Sequence, residues 1–307
     1  MQLFLGIPIL WNWRGMMKIK FKTISPVILS PRMEKALYKG VDFKEVSEGG
    51  MKSLKTGEIG NINMVYPFYS YEDRNLLYEN CFSHAKEYYI PASSLKGALL
   101  GNKRGEEENR FRSKILFKDI IIGNSHIRLR NLYKFQYLYQ EAKEKNYDEK
   151  QEIVYKAPKF LPFFPSVAIE MLETDTEFES EILFKLPKGS EEFFRNRLEE
   201  SFHITKKKLE NYIKETGCRI QVLNSWLEAG KIKKQKEGSV DYIDKLGEIK
   251  NNIEKYLKSD EHMIFLGGYK GILGSLSQLD EHHKVQNGFY IDECTLLPYG
   301  LVTASLI

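Results

Sequence analysis

From Met17 to Phe21 apolar and charged residues alternate as Met-Lys-Ile-Lys-Phe, the two-residue period of a half-buried strand. The pattern predicts a strand over 17–30, broken by Pro26 and ending near Ser30-Pro31. Residues 31–62, with Gly40, Gly49, Gly50, Gly57 and Gly60, keep no period and read as a long surface insertion. Asn63 to Tyr71 reads as a strand interrupted at Pro67. Ser93 to Asn102 reads as a helix stopped at Gly101 and followed by Lys103 and Arg104. Ile115–Ile122 and His126–Leu132 read as a strand pair joined through Gly123-Asn124-Ser125.

Phe160 to Pro165 reads as an apolar link, then Val167–Leu172 and Phe178–Leu186 as two strands around an acidic turn. Phe193, Phe194, Leu198 and Phe202 follow the helical period, so Ser190 to Ala229 is predicted mostly helical, with a break at Gly217. A basic link with Lys231, Lys233, Lys234 and Lys236 leads to a second helix over Val240–Leu257, loosened at Gly247. Met263–Leu266, Phe289–Ile291 and Leu301–Ile307 read as strands closing the fold. Strands, helix, strands, helices and strands in that order predict an α+β fold, an antiparallel sheet with helices on one side. A split βαβ core with insertions fits this order. The division is an extension over 1–16, a core over 17–188 and 259–307, and a helical insertion over 189–258. Met16-Met17 directly precede the first strand, and residues 1–15 read as an upstream extension.

Composition narrows the function classes. Of 307 residues, 42% are hydrophobic and 29% charged, the balance of a globular protein with a sizeable core. A net charge of +4 gives no global basicity, so a nucleic-acid surface has to come from local clustering. Eighteen Tyr and eighteen Phe supply core volume and rings for stacking on unpaired bases. Cys81, Cys218 and Cys294 stand far apart, which suggests neither zinc nor a disulfide framework and fits a reducing cytoplasm. No cofactor or metal is expected. The apolar run Leu3–Trp11 is too short to span a bilayer and lacks the flanks of a signal peptide, so no membrane association is expected.

Two segments carry candidate chemistry. In Ile90-Pro91-Ala92-Ser93-Ser94-Leu95-Lys96-Gly97-Ala98-Leu99-Leu100 a helix begins beside two hydroxyls, a lysine and a glycine. Free N–H groups at a helix start favour an anion. Ser93 or Ser94 caps that start, Lys96 adds charge, and Gly97 allows close approach. The alternative is a capped helix with one solvated lysine. In Leu266–Ser275, Gly267, Gly268, Gly271 and Gly274 allow positive φ and a nest of N–H groups. There Lys270 suits a phosphate and Tyr269 a base, and the alternative is a tight connecting loop. Neither segment matches a dinucleotide or nucleotide-triphosphate loop. Arg128 and Arg130 share one strand face and are candidate RNA contacts, the alternative being surface ion pairs. His282-His283 reads as an exposed polar turn.

Together and in this order, the two segments resemble the RAMP superfamily of CRISPR effector proteins. Ile24-Ser25-Pro26-Val27, the stretch Ala168-Ile169-Glu170 to Phe178, and Leu297-Pro298-Tyr299-Gly300-Leu301-Val302 look most like the crRNA 3′-end-capping (fifth) subunit of type III-A Csm complexes. Ala92, Leu100, Tyr269-Lys270 and Tyr299 depart from the residues usual in that family. The resemblance implies a modified βαββαβ core, RRM-like (ferredoxin-like). It implies a non-catalytic subunit that binds guide RNA (crRNA) through its sugar–phosphate backbone, packs on other type III effector subunits and meets target RNA. By that resemblance Ser93, Ser94, Lys96 and Gly97 hold phosphates, while Gly267, Gly268, Lys270 and Gly271 line the same groove. Related backbone subunits cleave target RNA with an aspartate in a loop after the first strand. Asp42 lies in such a loop and is the candidate if the chain is instead a ribonuclease.

Overall fold

The computed structural model describes residues 15–30, 32–46, 62–72, 81–101, 105–136, 140–143, 152–155, 159–185, 187–230, 242–279 and 288–307. The N-terminal extension before Gly15, the glycines of 49–60, Lys103, Arg104, the 231–236 lysines and His282-His283 lie outside the described residues.

The chain begins with β1 (Gly15–Thr23), β2 (Leu37–Tyr38), β3 (Met64–Tyr66) and β4 (Glu87–Ile90). Next come α1 (Ala92–Leu100), α2 (Glu106–Arg112), β5 (Ile115–Phe117), β6 (Ile120–Gly123), β7 (Ile127–Arg130) and β8 (Tyr133–Gln136). The middle holds β9 (Gln140–Lys143), β10 (Glu152–Tyr155), β11 (Lys159–Pro162), β12 (Val167–Leu172) and β13 (Glu177–Phe184). Two long helices follow, α3 (Pro187–Glu228) and α4 (Tyr242–Leu257), and then β14 (Met263–Phe265), α5 (Gly271–Ser275), β15 (Phe289–Tyr290) and β16 (Leu301–Leu306).

The fold is α+β. Its largest sheet has the order β14-β16-β1-β13-β5, and every neighbouring pair in it is antiparallel. The alternation read at Met17–Phe21 is real: Ile19 and Phe21 are fully buried, while Lys20 and Lys22 pair outside with Glu177 and Asp175. Gly15 and Met16 already belong to this strand, opposite Phe184 and Leu183. A second sheet, β2-β3-β12-β7, contains the parallel pair β3–β12. All six residues of β12 are buried, including Glu170.

Several local expectations give way to tertiary pairing. The strands flanking Gly123-Asn124-Ser125 do not form a hairpin: β6 pairs with β4, β7 pairs with β12, and Asn124–His126 is a short 3-10 turn. Phe160–Pro162 is not a link but part of β11, registered against β8. Gly217 does not break α3, and Gly247 does not break α4. A glycine inside a helix costs about 1 kcal/mol, less than the packing around it supplies. Leu209, Tyr212 and Leu223 of α3 share a core with Leu246, Ile249 and Ile253 of α4 and with Phe265, Phe289 and Leu301. Earlier in α3, Phe194, Leu198 and Phe202 join the core under the main sheet.

Candidate nucleic-acid interface

Three separated sequence segments are tied into one knot beside β14. Ser25 Oγ donates to the Pro298 carbonyl at 2.6 Å and accepts the Leu301 N–H at 2.9 Å. Gly300 N–H donates to Pro26 O, Gly300 O accepts the Leu266 N–H, and Gly268 N–H donates to Ile28 O at 2.8 Å. A Cβ on Gly267, at φ +96°, would meet Ile28 O at 2.5 Å, and one on Gly300, at φ +84°, would meet Leu266 O at 2.2 Å. These glycines therefore serve backbone-to-backbone approach.

The knot projects the loop after β14 over the side of α1 and α3. Between them lies a cleft of about 950 Å³. Gly97, Ala98 and Gly101 of the α1 side face Gly267–Gly271 across it, with Ser201, Thr205 and Lys208 of α3 along one wall. The helix segment and the glycine loop thus share one groove. Among the described residues, its lining contains two charged side chains, Lys208 and Lys270, and no carboxylate. Tyr269, Tyr290 and Phe265 supply rings. Tyr269 is held at φ 53° and meets Tyr290 edge-on at 5.9 Å between centroids.

Lys270 is mostly buried, and its Nζ donates to Phe265 O at 3.0 Å. Burial, reinforced by the charge of Lys208, pushes its pKa down to about 8. Burial also lowers that of Lys208, whose ammonium lies 5.9 Å from the Phe265 ring centroid. Two desolvated cations, with no counter-charge among the described lining residues, favour an incoming anion. Lys208 is absent from the motif-based reading. Its signal was present in the α3 period, since it falls between the buried Thr205 and Tyr212 on the stripe that faces inward.

At the start of α1 the predicted serine cap does not form. Pro91 is the cap residue and no side-chain cap bond forms, so neither Ser93 nor Ser94 caps the helix. The Asp119 carboxylate instead accepts the Ala92 N–H at 2.7 Å and places an internal anion at the helix start. Ser93, Ser94 and Lys96 do not line the cleft. Lys96 Nζ donates to Arg112 O at 2.7 Å and Ile115 O at 2.8 Å, joining α1 to the turn before β5. Burial first, then Arg112, lowers its pKa. Arg112 in turn donates to Leu100 O and Gly101 O at the end of α1.

Of the two arginines, Arg130 is buried and Arg128 is partly exposed. Arg130 has 8% of its side chain exposed, 3.1 Å from Asp292 and 3.7 Å from Glu173, and donates to Cys294 Sγ. Arg128 donates to Ser125 O and Ile127 O. Asp42 accepts the Tyr38 N–H at 2.7 Å and closes its own loop. A cluster absent from the sequence reading surrounds Glu170: its fully buried carboxylate takes Phe68 N–H, Tyr88 OH and His84 Nδ1. Among the described residues no group of three His, Cys, Asp or Glu forms a metal site, and no helix is long and apolar enough to cross a membrane.

No family model and no curated protein matches the chain. Among solved structures, it is similar to a chain of a cryo-EM structure of the type III-B Cmr-beta bound to cognate target RNA, at 12% identity and a TM-score of 0.25. That match covers 57% of this chain and 48% of the other, so the alignment spans about half the length of the chain it matches. At that TM-score the likeness defines neither fold nor role.

Proposed function

We propose that the cleft between α1, α3 and the loop after β14 binds the sugar–phosphate backbone of single-stranded RNA. The observation that carries this reading is the lining, where Lys208 and Lys270 face no carboxylate among the described residues. Backbone contacts of this kind position a strand without reading its sequence, and Tyr269 and Tyr290 offer rings to adjacent bases. The sequence resemblance carried by Ile90–Leu100 and Leu266–Ser275 supports the finer reading. In it the chain is a non-catalytic subunit of a type III CRISPR ribonucleoprotein, caps the crRNA 3′ end, packs on a backbone subunit, and serves crRNA maturation and antiviral defence in the cytoplasm.

Photo-crosslinking with a single-stranded RNA containing 5-iodouridine tests the site. The reading predicts crosslinked peptides that contain Tyr269 or Tyr290, and their loss in the Lys208→Ala, Lys270→Ala double variant. Crosslinks confined to other peptides contradict it. The finer reading predicts that repeat RNA incubated with the purified chain stays intact, and cleavage of that RNA would contradict it.

A further inference from the structure

A second surface lies at the opposite end of α1, where its start meets the β4–β6 ribbon. Tyr71 stacks on Tyr89 with centroids 4.0 Å apart and rings 7° from parallel, and Tyr71 remains 62% exposed. Tyr89 is registered directly across from Ile121, itself 52% exposed, so the three side chains form one apolar strip. The Tyr71 hydroxyl donates to the Asp119 carboxylate, which fixes the outer ring edge. Glu72 accepts the Lys86 and Glu87 N–H groups and pins the Tyr71 loop to β4. The stack is therefore a fixed platform with one open aromatic face.

Its charge is unlike that of the cleft. Asp119, Glu72 and Glu87 are exposed around the strip. Lys86 and Lys118 also border it, and Lys118 is paired with Glu181. Among the described residues carboxylates are in excess there, which repels phosphate and attracts a cation, and an open tyrosine face binds a planar guanidinium better than a hydrated ammonium. An exposed apolar strip rimmed by charge is the composition of a protein-docking surface.

We propose that the Tyr71–Tyr89–Ile121 strip docks an arginine-bearing basic segment of a partner protein, with a guanidinium laid on the open face of Tyr71. This surface is separate from the cleft and stands or falls independently of it. The test measures binding of a fluorescein-labelled hexa-arginine peptide, a hexa-lysine peptide and a single-stranded oligouridine to the full chain by anisotropy. Tyr71→Ala and Tyr71→Leu are compared with the parent, and circular dichroism confirms the fold. Hexa-arginine should bind more tightly than hexa-lysine. Both substitutions should weaken it by about threefold, the range of an exposed cation–π contact, and leave oligouridine binding unchanged. Equal hexa-arginine affinity in parent and variants overturns the proposal. So does weakening of oligouridine alone, which would make Tyr71 a base-stacking residue.

Discussion

Gly267 sits so close to Ile28 that a Cβ would lie 2.5 Å from the Ile28 carbonyl oxygen, in a backbone held at φ +96°. This contact joins the loop that lines the cleft to the segment after β1. The Gly268 N–H bond to the same oxygen reinforces it.

Gly267→Ala should therefore destabilise the chain by about 2 kcal/mol or more, from positive φ and backbone overlap together. Gly97→Ala is the contrast, since nothing lies within 4 Å of its Cβ position and it occupies a helix interior. That change should raise stability by about 0.5–1 kcal/mol. Chemical denaturation of both variants checks the pair, and equal effects would refute the assignment of Gly267.

Glu170→Ala should cost about 3 kcal/mol, because it leaves the buried Phe68 N–H and Tyr88 OH without their acceptor. Arg130→Ala should cost about 3 kcal/mol, since Asp292 is 1% exposed and would lose its cationic partner while keeping its hydrogen bonds from Cys294 and Thr295. Thermal melts measure both losses. RNA affinity of the folded Arg130→Ala chain should match the parent, as expected of an internal ion pair.

Lys270 predicts a pH dependence with a definite sign. Its pKa falls from 10.5 to about 8 on folding, so between those values the unfolded chain holds more protons. Stability should rise as pH increases through this window, and the gain should be lost as pH falls through about 8. Binding should move the other way. RNA affinity should weaken from pH 7 to 9 as Lys270 loses its charge, and Lys270→Arg, charged throughout, should abolish that change. An unchanged pH profile in Lys270→Arg would count against Lys270 as a ligand of RNA.

Much of this was legible from local pattern. The alternation at Met17–Phe21, the helix ending at Gly101 and the glycine loop at 267–271 each have a period or a backbone requirement that a short window contains. What was not legible depends on distant partners. Nothing near Gly123 states that β6 will pair with β4 and β7 with β12. Lys96 looked free because its acceptors, Arg112 O at the end of α2 and Ile115 O at the start of β5, are distant in sequence. Ser93 and Ser94 looked like caps because the residue that takes the Ala92 N–H, Asp119, is remote in sequence. Lys208 was hidden in the run Lys206-Lys207-Lys208, where only the phase of the α3 stripe separates it from its solvated neighbours.

The most direct test of the central claim is the salt dependence of single-stranded RNA binding by the Lys208→Ala, Lys270→Ala double variant. Each lost phosphate contact should reduce the slope of log K against log salt by about 0.7, so the double variant should lose about 1.4 from the slope. Affinity should fall to a similar extent for every RNA sequence tried. Lys96→Ala should instead lower stability and leave the slope unchanged. A double variant that stays folded and keeps the parent's affinity and slope would contradict the cleft as the RNA site.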